Sequence, residues 1–296
     1  MQPDILCIGS VLWDIIGRSA SHMAVGADRP GRITRLPGGV ALNIAMQLAR
    51  QGLKPALLSA VGRDAEGTEL IAQCRRMGLL TDYAYLSDDL PTDRYMASEG
   101  ANGLVAAVAD AHSLEAAGDK ILRPLGDGRL GSKDTPYPGL IALDGNLTED
   151  LLARIAESPL FATADLRIAP ASPGKVERLQ PLLTHPRATL YVNLEEAGLL
   201  CQADFDGSGA AATGLIARGA RRVVVTDGGS PATFADAAGT IATASPRQVL
   251  VTRVTGAGDT FMAAHIVSER GGASPTDALN RALRIAADFV SGETAL

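Results

Sequence analysis

The chain has 296 residues, 46% of them hydrophobic, and a formal net charge of −6. That length fits one large α/β domain or two small ones and is ample for a substantial core, and the apolar share excludes a disordered chain. An acidic balance with no Lys/Arg block argues against nucleic acid or an anionic membrane as partner, and no apolar run approaches the length of a bilayer span.

The start, MQPDILCIGSVLWD, lacks a basic leader and reads at once as a strand (DILCIGS). No signal peptide is expected, and the protein is placed in the cytoplasm. Residues from about Trp13 to Leu36 carry no helical pattern. PGGVALNIAMQLARQG does: its apolar residues recur at helical spacing between Gly39 and Gly52. KPALLSAVG then reads as one strand and AEGTELIAQCRRMG as a helix. RYMASEGANGLVAAVAD reads as a hairpin turning at Asn102-Gly103. Segments 13–36 and 92–110 together predict a small accessory β-sheet. The Gly/Pro-rich stretch from Pro124 to Gly139 is an irregular connection.

Strand and helix alternate from there. GLIALDG precedes TEDLLARIAE, RATLYVN precedes LEEAGLLC, and ARRVVVTDGG follows a helix around AATGLIARG. The strands are continuously apolar, as in a parallel sheet covered on both faces. The expected class is therefore α/β, doubly wound, in one domain over residues 1–296. Cys7, Cys74 and Cys201 are far apart in apolar contexts and read as buried thiols. The four histidines show no metal-ligand spacing.

VTGAGDTF carries the chemistry. Gly256, Ala257 and Gly258 have no bulky side chain, so their amides can converge on a ligand, and the following helix adds its N-terminal amides and positive dipole end. The result is an anion hole suited to a phosphate or to a phosphoryl group in transit. Asp259 would repel a static phosphate but suits a base that deprotonates an attacking hydroxyl. A plain turn followed by a helix N-terminal acid would show the same residues. No Lys-Ser/Thr follows the glycines, so this is not a P-loop, and no G-x-G-x-x-G follows strand one, which argues against a dinucleotide-dependent dehydrogenase. Asn193 and Glu196 have the spacing of a helix capping box as well as that of a polar site.

Four segments, in order, resemble the ribokinase (PfkB-type) family of carbohydrate and nucleoside kinases: PGGVALNIA, NLEE, VTDGG and TGAGDTF. The resemblance implies a three-layer α/β/α sandwich with a mostly parallel sheet, closed by a β-sheet lid. It implies that Asp259 is the catalytic base and that the amides of Gly256, Ala257 and Gly258 form the anion hole. Asp14, Gly38, Gly39 and Asn43 would hold acceptor hydroxyls. Asn193, Glu196, Thr226 and Gly228 would sit near ATP and Mg²⁺, with no residue assigned as a direct metal ligand. A monovalent cation stays open, because Arg253-Val254-Thr255 stands where many members have Asp-Thr-Thr. The chain ends at Leu296, soon after the helical pattern beginning PTDALNRALRIAADFV, which would leave the adenine side more open. A lid-to-lid homodimer is expected. Within the family the run looks most like pseudouridine kinases, with ribokinase, fructokinase and purine nucleoside kinases as alternatives, and a non-catalytic nucleotide- or sugar-binding protein as the alternative of another class.

Overall fold

A computed structural model describes residues 2–293. In chain order the elements are β1 (Ile5–Ile8), β2 (Leu12–Arg18), β3 (Arg32–Gly38), α1 (Val40–Arg50), β4 (Pro55–Leu58), β5 (Ala60–Gly62), α2 (Ala65–Arg76), β6 (Tyr85–Ser87), β7 (Arg94–Gly100), β8 (Gly103–Asp110), α3 (His112–Ala117) and α4 (Arg123–Gly126). The second half adds β9 (Leu140–Asp144), α5 (Glu149–Glu157), β10 (Asp165–Ala169), β11 (Ala188–Asn193), α6 (Leu194–Cys201), α7 (Ser208–Ala217), β12 (Arg222–Asp227), β13 (Ser230–Asp236), β14 (Ile241–Ala244), α8 (Ala257–Arg270) and α9 (Pro275–Ser291).

The main sheet runs β14-β13-β12-β11-β10-β9-β1-β4. It is parallel from β12 to β4, and β13 and β14 complete it antiparallel. Most of its central parallel strands are apolar because both faces are covered. Along β1, Leu6 and Ile8 join one core cluster, with α5, α6 and α7, while Ile5 and Cys7 join the other, with α1, α2, α8 and α9. The same division splits Val223 and Val225 from Val224 in β12. This period-two alternation into two dry layers makes the three-layer sandwich.

A second sheet, β3-β2-β7-β8, is built from the two segments that break the strand–helix rhythm. Trp13 anchors it: the ring is 1% exposed and its Nε1 donates to the Glu66 carbonyl at 3.0 Å. Arg35 covers the ring at 4.2 Å from its centroid.

Several local expectations need correction. KPALLSAVG is two strands: β4 pairs with β1, and beyond Ser59 the chain turns into β5, which pairs with β6 in a separate two-stranded sheet. The hairpin turns at Ala101-Asn102, one residue early, with Gly100 opposite Gly103. There the Asn102 side chain bridges the backbone of Met23, accepting at 2.9 Å and donating at 3.1 Å, so it holds the neighbouring loop. Cys201 is half-buried, whereas Cys7 and Cys74 are buried. The last helix ends at Ser291 with Gly292 left-handed (φ 80°), and residues 294–296 lie outside the described range. Among the described residues no helix is long and apolar enough to cross a membrane.

Candidate active site

The carboxyl ends of the parallel strands open onto a cleft of 590 Å³ between the main sheet and the small one. Ligands of doubly wound sheets bind at this end. The cleft is lined by Asp14, Gly39, Asn43, Asn193, Glu196, Thr226, Gly228 and the run from Gly256 to Asp259. Segments more than 200 residues apart in sequence thus meet at one site. Gly38 does not line the cleft; it lies beneath Asp14.

α8 starts at Ala257, two residues before Asp259, so the carboxylate sits in the first turn of the helix. Gly256 caps it with φ 84°, a left-handed conformation that a side chain would strain. A Cβ at Gly258 or Gly228 would meet nothing within 4 Å, so both backbones are open to an incoming group. The three anion-hole amides are not equivalent: that of Ala257 already donates to the Val254 carbonyl at 3.0 Å. The first-turn amides of Gly258 and Asp259 have no preceding helical carbonyl to reach.

Asp259 Oδ2 accepts from Asn43 Nδ2 at 3.0 Å. Asn43 therefore touches the Asp259 carboxyl as well as lining the cleft. Burial, and then the nearby carboxylates Asp144, Asp14 and Glu196, push Asp259 up to about 7, against the lowering effect of the Asn43 bond. A carboxyl poised there can take a proton at neutral pH. Asp14, on β2, is pushed up to about 6 by burial. It has room only because residue 38 is glycine: a Cβ there would stand 2.0 Å from Asp14 Oδ2. Gly39 is equally confined, with a virtual Cβ 2.6 Å from the Ser10 carbonyl and φ 96°.

Asn193 and Glu196 do form the capping box of α6, each side chain accepting the other's amide at 2.8 Å. Both also line the cleft, so capping the helix does not withdraw them from it. Thr226 and Gly228 follow at the end of β12, across a register shift between Val225 and Asp227. Arg253 turns to α9, stacking 3.7 Å from the Phe289 ring centroid and donating from Nε to its carbonyl at 2.8 Å.

Two functional features escaped the sequence reading. Asp144, fully buried at the end of β9, accepts from the amides of Ser10 (2.8 Å), Ala41 (2.9 Å) and Asn146 (2.8 Å). It ties the ends of β1 and β9 to the start of α1, and so positions Gly39 and Asn43. Lys175 also enters the cleft, donating to Asn146 Oδ1 at 3.0 Å. Neither is signalled by spacing, because their partners lie on other elements.

The pattern of the pfkB family of carbohydrate kinases matches residues 2–294. Pseudouridine kinase of Escherichia coli (strain K12) is 30% identical over 263 residues, which is 88% of this chain and 81% of that protein. Among solved structures, Arabidopsis thaliana ribokinase complexed with ribose and ATP is similar with a TM-score of 0.78 at 19% identity, covering 100% of this chain and 95% of that one. Adenosine kinase from Sinorhizobium meliloti has a TM-score of 0.77 at 19% identity, covering 98% and 93%. The chain belongs to the pfkB carbohydrate kinase family and has its ribokinase-like α/β fold. It is a phosphotransferase acting on a hydroxyl of a sugar or nucleoside.

Proposed function

We propose that the protein transfers the γ-phosphoryl group of ATP to the 5′-hydroxyl of pseudouridine, giving pseudouridine 5′-phosphate. The observation that carries the chemistry is Asp259, held in the first turn of α8 with a carboxyl pushed up to about 7. The acceptor rests on the relative that is 30% identical over most of both chains.

In this reading Asp14, Gly39 and Asn43 hold the ribose hydroxyls beneath the small sheet, which acts as a lid and excludes water. Gly38 leaves the space that Asp14 occupies. Asp259 takes the proton of the attacking hydroxyl. The first-turn amides of α8, together with Gly256 and Ala257, face the charge on the group in transit, with Ala257 leaving Val254 to do so. Thr226 and Gly228 border the donor phosphates. Mg²⁺ supplies charge neutralisation on those phosphates when bound, and Glu196 and Asn193 suit its water shell. On the lid, Ile33, Met96 and Val108 are 79%, 55% and 62% exposed, which favours a second copy of the chain covering that sheet in the cytoplasm; sedimentation of the protein tests this.

ADP release with Mg-ATP against pseudouridine, uridine, adenosine, ribose and fructose tests the proposal. Fast turnover with pseudouridine and little with uridine is expected. Turnover confined to a sugar or a purine nucleoside replaces the acceptor and keeps the mechanism. ATP binding without turnover on any acceptor would favour a non-catalytic binding protein.

A further inference from the structure

The order of the strands places one more side chain at the reacting centre. The proposed donor end of the cleft lies on β11 and β12, with Asn193, Glu196, Thr226 and Gly228. The proposed acceptor end lies on β1 and the start of α1, with Ser10, Gly39 and Asn43. Between them stand β9 and β10. Lys175 belongs to the segment that leaves the carboxyl end of β10, so it enters the cleft where donor and acceptor must meet.

Charge points the same way. Three carboxylates line the cleft (Asp14, Glu196 and Asp259), and among the described lining residues Lys175 is the only Lys, Arg or His. Its bonding partner is neutral: Nζ donates to Asn146 Oδ1 at 3.0 Å, and Asn146 Nδ2 in turn donates to Ser10 Oγ at 3.0 Å. A half-buried ammonium on a neutral amide, in a cleft that must accept a polyanion, exchanges that partner for a phosphoryl oxygen at little cost.

We propose that Lys175 is a catalytic residue whose ammonium binds the γ-phosphoryl group as it moves from ATP to the acceptor. The acceptor oxygen bonds to the γ-phosphorus while the bond to the β–γ bridging oxygen breaks. The hydroxyl proton goes to Asp259, and ADP departs with the bond's electron pair. Lys175 holds a non-bridging oxygen throughout, exchanges no proton and is held ready by Asn146. This rests on the assignment of the donor and acceptor ends given above, but not on the identity of the acceptor.

The test uses Lys175→Met and Lys175→Arg in the full chain. Calorimetry with Mg²⁺ gives the affinities for ADP and for a non-hydrolysable ATP analogue. The expected result is unchanged ADP binding in Lys175→Met, with the analogue weakened by about 10- to 100-fold, the size of one hydrogen bond to a charged group. With whichever acceptor the panel identifies, kcat falls by on the order of 10²–10³ while the acceptor KM holds, and Lys175→Arg recovers part of both losses. An unchanged analogue-to-ADP ratio in both variants overturns the proposal, as does a loss confined to the acceptor KM. Thr226→Val checks the donor end separately: if ADP binding ignores that change, the donor assignment fails, while the γ-phosphate preference still decides Lys175.

Discussion

Replacing Asp259 with Asn should destroy turnover and stabilise the fold, and the two effects should part company with pH. The amide keeps the shape of the carboxyl and can accept the same bond from Asn43, which now spans 3.0 Å. It removes a charge that the cleft disfavours through burial and through Asp144, Asp14 and Glu196. With a folded value of about 7, the wild-type carboxyl binds its proton more tightly folded than unfolded. Below the unfolded value, near 3.9, both states are protonated and no penalty exists. Between the two values only the unfolded state ionises, so the penalty grows with pH, and above about 7 it is complete. The gap of about three units caps it at about 4 kcal/mol; cleft water and relaxation reduce it to roughly 1–2 kcal/mol, or about 2–6 °C in Tm for a chain of this size. Asp259→Asn should therefore melt above wild type at pH 8, melt with it near pH 4, and lose on the order of 10²–10⁴ in kcat. Thermal scans of both proteins at the two pH values, with an ADP-release assay at pH 8, read all three. A lower melting point at pH 8, or a gain equal at both pH values, would refute the electrostatic account; near-wild-type turnover would remove Asp259 as base.

The same carboxyl sets the pH–rate profile. kcat/KM should rise to a plateau above about pH 7 and stand roughly tenfold lower at pH 6, and Asn43→Ala, by deleting the bond that favours the carboxylate, should move that limb to higher pH. Gly38→Ala places a methyl 2.0 Å from Asp14 Oδ2; it should raise the acceptor KM about tenfold or more while calorimetric ADP affinity holds. Arg167→Met strips Glu269 of one of its two arginine partners and Asp165 of its arginine, and should cost about 2–4 kcal/mol in urea unfolding, because it leaves two partly buried carboxylates under-paired.

Local pattern carried the site motifs, and distance hid the rest. Gly256-Ala257-Gly258-Asp259 was legible because a tight turn, a helix start and a carboxylate fall in one short run. The capping box of Asn193 and Glu196 was legible for the same reason. Asp144 looks like the polar end of a strand, and its importance appears only when Ser10 and Ala41, 134 and 103 residues away, donate to it. The contact of Asn43 with Asp259 spans 216 residues. β10 went unread because Asp165 and Arg167 break its apolar run. In the fold Arg167 is 5% exposed, bound to Asp165 and Glu269, so a charged residue occupies a core strand position. The hairpin shifted by one residue because Asn102 is used by Met23, a tertiary contact that turn propensity does not contain.

Two carboxylates that line the cleft, Asp259 and Asp14, are held by different means, and under the proposed reading that difference assigns them different work. Asp259 rides on a helix locked to the sheet further along. Glu269 pairs with Arg167 of β10 and Arg222 of β12. His265 lies 3.0 Å from the Tyr191 hydroxyl of β11 and stacks between Phe234 and Phe261. Burial lowers that imidazole to about 4, so it stays neutral and the network keeps its charge through the working pH range. The helix that carries Asp259 is thereby fixed to β10, β11 and β12, the last two being the strands of the proposed donor end. Among the described residues Asp14 has no such network: it is positioned by the register of β2 with β3 and β7 and by the missing side chain at Gly38. Under the proposed lid reading the small sheet closes as a unit and carries Asp14 with it. Damage under α8 should then appear in stability and kcat together, whereas damage under Asp14 should appear in the acceptor KM. On that reading a fixed base and a movable acceptor clamp let the closing sheet complete the site without disturbing the geometry of proton transfer.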